Sequence, residues 1–228
     1  MLKNIPQEKQ RQRAPSKRAL ETRDRIMDAA ERVFARDGYD AASIRVIAAE
    51  AEVQGALVNH HGGSKEELFW RVVARRADIL AEARITALVT RKAQSTLSLP
   101  AILDCFFGPF FEQIDVGGPQ WVAYARIVAF VSADARWKDL AAICFDPTAN
   151  RFVEEIAALY PATARAAVAS GFVYSVAGML ALITSQWRME ALGDMPPSAA
   201  NHLDELVVFC TAGIEAATHR ALANEVDA

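Results

Sequence analysis

The 228-residue sequence predicts an all-α protein, with a small three-helix domain near its N-terminal end and a larger helical bundle after it. Apolar residues recur at three- and four-residue steps along most of the chain, as they do on one face of a helix. Alternating strand patterns never persist beyond a few residues. Prolines and paired glycines separate the helix-length segments. We expect three parts: a basic disordered arm at 1–20, the small domain at 21–66 and the bundle at 67–228.

Charge is distributed unevenly along the chain. Residues 1–92 contain 18 Lys and Arg against 13 Asp and Glu, whereas residues 93–228 contain 7 against 15. The net charge of −3 therefore hides a basic N-terminal part that is suited to a polyanion. The arm lacks apolar periodicity, and it is either a solvated tail or a contact to DNA phosphates or a minor groove.

The first helix of the small domain is expected to begin near Thr22. Its inward stripe follows helical spacing and consists of Ile26, Ala29, Ala30, Val33 and Phe34. Gly38 can adopt the left-handed conformation that ends a helix, and Tyr39 is then expected to pack back onto the core.

Two short helical patterns follow and predict a helix-turn-helix. Ser43 is a suitable N-cap for the first, which would turn Ile44, Ile47 and Ala48 inward. Glu52 and Val53 form the turn before the second helix at Gln54–His61, whose inward anchors would be Leu57 and Val58. Ser64 and Glu67 then make a capping box for a fourth helix. Its apolar side would consist of Leu68, Phe69, Val72, Val73, Ile79 and Leu80.

A short helix braced by two others beside positive charge is the geometry that places side chains in a DNA major groove. Gln54 and Asn59 can each pair with adenine, and Gly55 and Ala56 allow close approach or contact with a thymine methyl group. The hydroxyl and free N–H groups at Ser43 suit a phosphate. The predicted DNA-binding residues are Ser43, Arg45, Gln54, Gly55, Ala56, Asn59, His60 and Lys65.

Several of these residues have a second interpretation. Ser43 could serve only as a cap, Arg45 could be solvated, and Asn59 could cap the end of its helix. Arg45 would otherwise reach a phosphate or a base edge, and His60 and Lys65 would contact phosphates. His60 and His61 lie about 100° apart around a helix, so one should face outward and the other inward. We expect His60 to face outward.

The segments TRDRIMDAAERVFARDGYDAASIRVIAAEAEV and VNHHGGSKEELF resemble the N-terminal DNA-binding domain of TetR-family transcriptional regulators, over about residues 20–70. The pattern Val58-Asn59, His61, Gly63-Ser64-Lys65 is similar to the fatty-acid-responsive, PsrA-type subgroup, which residues 125–182 resemble more weakly. The resemblance implies a bacterial, cytoplasmic, nucleoid-associated homodimer with a four-helix interface and a palindromic operator. Glu52, His60 and Gly62 depart from the family's usual glycine, tyrosine and phenylalanine, so residues 52–63 are expected to be mobile without DNA.

Further helices are expected near 98–115, 119–133, 136–158, 161–190 and 199–222. Helical bundles host ligands between apolar helices, although most large apolar residues are core. The candidate ligand-binding residues are Trp121, Tyr124, Arg126, Phe130 and Tyr174. Arg126 lies in an apolar stretch and would bind a ligand carboxylate or pair with Asp104 or Glu112.

Small residues seven positions apart allow close helix approach and suggest a dimer interface. Its predicted residues are Gly171, Gly178, Leu206 and Phe209. The uncharged run Ala166–Trp187 is long enough to raise the question of a membrane span, but its Ala, Gly and Ser content favours a fully buried helix. We expect no membrane association.

Residues 1–20 lack an apolar segment, so no signal peptide is expected. The three cysteines lack metal or redox spacing, so we expect buried free thiols, no metal and no cofactor. Nucleophile–base pairs and phosphate loops are missing too, which argues against an enzyme. The favoured function is a dimeric DNA-binding regulator, a repressor released by a small hydrophobic or amphipathic effector. The alternative is a helical ligand-binding or adaptor protein that has lost operator binding.

Overall fold

The computed structural model describes residues 16–193 and 202–226, in which every regular element is helical. The all-α prediction is confirmed. The ten α-helices of the described residues are α1 (Lys17–Ala41), α2 (Ile44–Glu50), α3 (Gly55–Gly62), α4 (Lys65–Gln94), α5 (Leu99–Gly117), α6 (Pro119–Ala133), α7 (Lys138–Cys144), α8 (Asp146–Ala157), α9 (Arg165–Gly193) and α10 (His202–Val226). Short 3₁₀ turns precede α7 and α9.

Three segment predictions need correction or lie outside these residues. Helix α1 begins at Lys17, capped by Ser16, so the last residues of the predicted arm are helical. Residues 1–15 of that arm lie outside the described residues, as do 199–201 of the last predicted helix. The single helix expected near 136–158 is a 3₁₀ turn followed by α7 and α8, because Pro147 restarts the helix in its first turn.

The described chain divides into two compact units. The first contains residues 16–79 and 117–144, and the second contains 80–116, 145–193 and 202–226. This division differs from the single boundary expected at residue 66, because α6 returns to the first unit and packs on α1.

The core of the first unit is built from the predicted stripe of α1. Ile26, Ala29, Ala30, Val33 and Phe34 are all fully buried, which confirms that prediction. Tyr39 also packs as expected, with its ring centroid 5.2 Å from that of Phe69 and 4.7 Å from that of Trp137. These aromatic contacts hold the end of α1 against α4 and the 3₁₀ turn before α7.

A buried ion pair crosses the same unit. Arg76 Nε donates to Glu31 Oε2 at 2.6 Å, and Arg76 Nη2 donates to Gln120 Oε1 at 2.9 Å. The guanidinium also lies 4.7 Å from the ring centroid of Trp121. Glu31 is fully buried and its Oε1 has no hydrogen-bond partner. Desolvation outweighs the attraction of Arg76 and raises the pKa of Glu31.

Arg136 forms a cluster of ion pairs on the surface of the first unit. Its guanidinium donates to both carboxylate oxygens of Asp40 at 2.9 Å, and its Nε donates to Asp134 at 2.8 Å. These bonds lower the pKa of both carboxyls. Because the groups are exposed, we assign this bidentate pair a positioning role at the end of α1 more than a large stabilising one.

The second unit contains most of α5, part of α4, and α8, α9 and α10. Phe106 is central to its core, with ring centroids 5.0 Å from Phe152 and 4.8 Å from Phe172. Arg84 is buried beside it, with its Nε donating to the Phe106 carbonyl oxygen at 2.8 Å. The cysteines are free and buried, as expected, and burial raises the pKa of Cys144, in the first unit, to about 12.

Two helices of the second unit are long and apolar enough to cross a membrane by length and composition: Ala162–Gly193 and His202–Ala223. The apolar windows of these helices are only 39% and 28% buried within the chain. The expectation that Ala166–Trp187 is fully buried is therefore wrong. One side of α9 packs on α10, and its other side carries exposed Val173 and Tyr174.

Candidate nucleic-acid interface

Helices α2 and α3 form the predicted helix-turn-helix. Ser43 Oγ accepts a hydrogen bond from the Val46 amide at 3.2 Å, which confirms Ser43 as the N-cap of α2. Ile47 and Ala48 are buried against the unit's core. The turn is closed by the Val53 amide, which donates to the Ala48 carbonyl oxygen at 3.0 Å.

Glu52 adopts a left-handed conformation in this turn, with φ of 53°. Of the described residues it is the one non-glycine residue with a positive φ. A side chain is disfavoured there by about 1–2 kcal/mol, which is why glycine suits this position. Glu52 therefore lies in the predicted turn, and the turn stores backbone strain. Mobility of residues 52–63 stays a prediction.

Helix α3 has one buried side and one exposed side. Its buried residues are Val58, His61 and Gly62. Its exposed residues, together with the N-cap Gln54, are Ala56, Leu57, Asn59 and His60. The outward orientation of His60 is confirmed. The prediction that Leu57 is an inward anchor is wrong, since Leu57 is 39% exposed and Val58 alone fills that role.

The polar ends of Gln54 and Asn59 are available on this surface. Gln54 makes no capping hydrogen bond with its side chain, although it precedes the first helical residue. Asn59 contributes its carbonyl oxygen, not its amide side chain, to the helix end, where it accepts from the Gly63 amide at 3.0 Å. The end of α3 is thus capped by main-chain atoms and not by the Asn59 side chain.

Glycines shape both ends of α3. A Cβ added to Gly55 would meet no atom within 4 Å, so the helix begins with its backbone openly accessible. A Cβ on Gly62 would lie 3.0 Å from Leu68 Cδ1, so Leu68 occupies the space that a larger residue would need. Gly63 then ends the helix with φ of 77°.

The first two turns of α4 hold the C-terminal end of α3 in place. Ser64 and Glu67 form the predicted capping box, with the Ser64 amide 2.8 Å from Glu67 Oε2 and the Glu67 amide 3.1 Å from Ser64 Oγ. Arg71 Nη1 donates to the His61 carbonyl oxygen at 2.6 Å. These bonds fix the direction in which α3 leaves the core.

Lys65 requires a correction. Its ammonium group donates to three main-chain carbonyl oxygens at the end of α1, those of Tyr39 at 2.9 Å, Asp40 at 3.3 Å and Ala42 at 3.0 Å. An ammonium has three N–H donors, so all of them are used. Lys65 therefore positions the helix-turn-helix, and the predicted phosphate contact is replaced by this role.

The remaining predicted DNA-binding residues are exposed or half-buried in the helix-turn-helix. Arg45 is exposed in the first turn of α2, and Gln54, Gly55 and Ala56 begin α3. Asn59 and His60 follow one turn later on the same exposed side. Ser43 uses its hydroxyl as a cap, and it lies at the N-terminus of α2, where main-chain N–H groups lack partners within the helix.

The predicted ligand-binding residues are divided between the two units. Trp121 and Tyr124 are buried in the first unit, where Tyr124 donates to the Val73 carbonyl oxygen at 3.0 Å. Arg126 and Phe130 are exposed, and Tyr174 is 73% exposed in the second unit. Asp104 accepts from Arg91 at 3.1 Å within the second unit, and the ligand or ion-pair role of Arg126 stays a prediction.

The sequence reasoning missed the buried arginines Arg76 and Arg84. The signal was present, because both lie at four-residue steps with Leu80 and Leu88 on the apolar side of α4. Ile79, expected on that side, is 47% exposed and lies off the stripe.

Three of the four predicted dimer residues lie where α9 packs on α10, and the fourth is exposed. A Cβ on Gly171 would lie 2.7 Å from Ile214 Cγ1, and one on Gly178 would lie 3.5 Å from Leu206 Cδ1. Gly171, Gly178 and Leu206 therefore make contacts between α9 and α10 of one chain, and their part in an interface between chains stays a prediction. Phe209 is 76% exposed on the opposite side of α10.

Comparisons with known proteins agree with this architecture. A profile of bacterial regulatory proteins of the tetR family matches residues 26–72, and a profile of tetracyclin repressor-like C-terminal domains matches residues 104–213. A search of curated protein sequences gave no match.

Two solved structures share the fold. A protein of Mesorhizobium loti, described as a TetR-family transcriptional regulator, is 17% identical, with a TM-score of 0.51 over 89% of this chain and 97% of its own. A TetR-like transcriptional regulator from Rhodococcus sp. RHA1 is 21% identical, with a TM-score of 0.50 over 92% of this chain and 99% of its own.

Proposed function

Since the chain belongs to the TetR family of bacterial transcriptional regulators, which bind DNA and are not enzymes, we propose that it is a dimeric repressor of a palindromic operator. Family members carry a ligand-binding C-terminal domain. The proposed effector is a small hydrophobic or amphipathic molecule, of the fatty-acid type expected for PsrA-like regulators. Its binding would release the repressor from nucleoid DNA.

The exposed side of α3 is the observation that carries operator binding. Gln54, Asn59 and His60 point away from the core, while Val58 is completely buried and holds the helix in place. An amide side chain on an exposed helix beside Arg45 can read base edges and phosphates in a major groove. Lys65 and Arg71 position this surface through main-chain carbonyl oxygens and leave its reading face unobstructed.

An exposed apolar surface on α9 and α10, the dimer surface, supports dimerisation. Its larger members are Val173, Tyr174, Val208 and Phe209, of which each is at least 62% exposed. Between them lie small exposed residues at helical spacing: Ala166, Ala177, Ala181, Ala212, Gly213 and Ala216. Pairing of this surface with its copy would bury apolar area in a four-helix contact with two-fold symmetry.

Two-fold symmetry links dimerisation to the operator. A dimer of this kind places its two reading helices about one DNA turn apart, roughly 34–36 Å, and therefore requires two inverted half-sites. An effector that favours a different separation of the heads would lower operator affinity by its differential affinity for the two states.

The test is a mobility-shift titration of the full-length protein against DNA from its own promoter region and against random DNA of equal length. The proposal predicts sequence-specific binding, and release by a medium-chain fatty acid would support the effector class. Binding to neither DNA at low salt would overturn operator binding and favour the ligand-binding or adaptor alternative. Specific binding that fatty acids leave unchanged would overturn only the effector class.

A further inference from the structure

We propose that the base pairs beneath α3 in each half-site are A·T pairs, and that thymine methyl groups are part of what is recognised. This inference rests on the proposed function, because it concerns the sequence read by the same surface. It follows from the chemistry of the side chains that the structure leaves exposed on α3.

The exposed side chains of α3 suit adenine and thymine. Gln54 and Asn59 carry carboxamides, which pair bidentately with the N6 and N7 atoms of adenine. Ala56 and Leu57 have aliphatic side chains that end in methyl groups, which match the C5-methyl group of thymine. Neither α3 nor its N-cap contains a lysine or an arginine, the residues that most often read guanine in the major groove.

The exposure of Leu57 supports thymine recognition independently of the residue types on α3. The residue has the size of a core anchor, yet it is 39% exposed beside Ala56, while Val58 occupies the core position. A large apolar side chain in that place gains free energy when a methyl group covers it. Gly55, two residues before Leu57, leaves open space around the backbone, so the start of α3 can approach the bases closely.

Guanine recognition is confined to the edge of this surface. Arg45 is the one arginine or lysine between Ser43 and Gly63, and it lies in the first turn of α2. A guanine contact by Arg45 would therefore fall outside the base pairs that α3 covers. Each half-site should consist of an A·T core with at most one flanking guanine that depends on Arg45.

The experiment begins with selection of random duplexes by the full-length protein at low salt. The base pairs under α3 are those whose selection weakens in Asn59→Ala. At these positions we expect A·T in the enriched sequences. Replacing their thymines by uracil removes only the methyl group, and it should weaken binding about fourfold for each methyl that Leu57 or Ala56 contacts.

Leu57→Ala supplies the second readout. At a thymine that Leu57 contacts, this variant should bind the thymine- and uracil-containing operators with similar affinity, whereas the control Leu159→Ala should retain the fourfold difference at that position. Leu159 is a suitable control because it is 40% exposed and lies in the second unit. The wild-type uracil measurement needs no variant and so does not depend on the folding of Leu57→Ala.

Two results would overturn the inference and leave the proposed function intact. One is enrichment of G·C pairs at the positions that depend on Asn59, and the other is equal wild-type affinity for thymine and uracil. Failure to enrich any sequence at low salt would instead overturn the proposed function, and the inference with it.

Discussion

Lys65 and Tyr39 are joined twice, through a 2.9 Å hydrogen bond from Nζ to the Tyr39 carbonyl oxygen and through Nζ lying 4.4 Å from the centroid of its ring. The lysine thereby ties the first turn of α4 to the end of α1, directly beside α2. A residue that the sequence presents as a phosphate contact is part of the support of the reading surface.

This role of Lys65 predicts how Lys65→Met behaves. Loss of its hydrogen bonds should lower the free energy of unfolding by about 1–3 kcal/mol in urea titrations. The slope of log affinity against log salt for operator binding should stay unchanged, since no phosphate contact is lost. The exposed Lys138→Met serves as the stability control. A salt slope smaller by about one in Lys65→Met would show that Lys65 contacts a phosphate.

The strained turn at Glu52 predicts a stabilising substitution. Glu52→Gly should raise the free energy of unfolding by about 0.5–1 kcal/mol, because relief of the positive φ exceeds the added entropy of the unfolded chain. Glu82→Gly, at an exposed position inside α4, should instead lower it by about 1 kcal/mol. Thermal and urea unfolding measure both. Destabilisation by Glu52→Gly would mean that the Glu52 side chain makes a contact worth more than the strain.

The buried pair of Glu31 and Arg76 predicts a pH dependence. Burial raises the pKa of Glu31, so folding favours its protonated form. The contribution of Glu31 to the free energy of unfolding is therefore fully present below the pKa that Glu31 has in the unfolded chain. It is lost as the pH rises through the higher pKa that Glu31 has in the folded protein. Stability measured relative to Glu31→Gln should therefore decrease from about pH 4.5 towards neutrality. An increase over the same range would show that Arg76 lowers the pKa of Glu31.

The dimer surface predicts a monomeric variant. Phe209→Glu places a charge at the centre of the exposed apolar surface and should shift sedimentation equilibrium from dimer to monomer. Val89→Glu is the matched control, because Val89 is exposed on α4 and lies outside that surface. A Phe209→Glu protein that sediments as a dimer would place the interface elsewhere on the chain.

Local signals in the sequence were enough to predict the scaffold of the reading domain. Ser43 and the Ser64–Glu67 capping box each act within three or four residues of the chain, and the structure has both in the expected places. Gly38 has the expected positive φ, of 75°, but it interrupts α1 before the helix ends at Ala41. Periodicity likewise identified the α1 stripe, because a long amphipathic helix repeats its inward residues many times.

Leu57 shows where periodicity fails. Helix α3 has only eight residues, so two adjacent apolar residues are equally compatible with the inward direction. Three-dimensional packing selects Val58, and the consequence is an exposed apolar residue on the reading surface. No pattern in the sequence distinguishes the two.

Long-range contacts account for the other errors. Lys65 meets carbonyl oxygens from residues at least 23 positions away, and Arg76 meets Glu31 at a separation of 45. The small residues Gly171 and Gly178 were identified correctly as sites of close helix approach, but spacing does not reveal whether the neighbouring helix belongs to the same chain.

The central claim is that the exposed side of α3 reads bases, and Asn59→Ala tests it most directly. Fluorescence anisotropy should be measured for wild type, Asn59→Ala and the exposed control Asn150→Ala on a selected operator and on random DNA. The account predicts a loss of about 1–3 kcal/mol for Asn59→Ala at the operator, a smaller loss on random DNA, and no change for the control. An equal loss on both DNAs, or no loss on either, would contradict it.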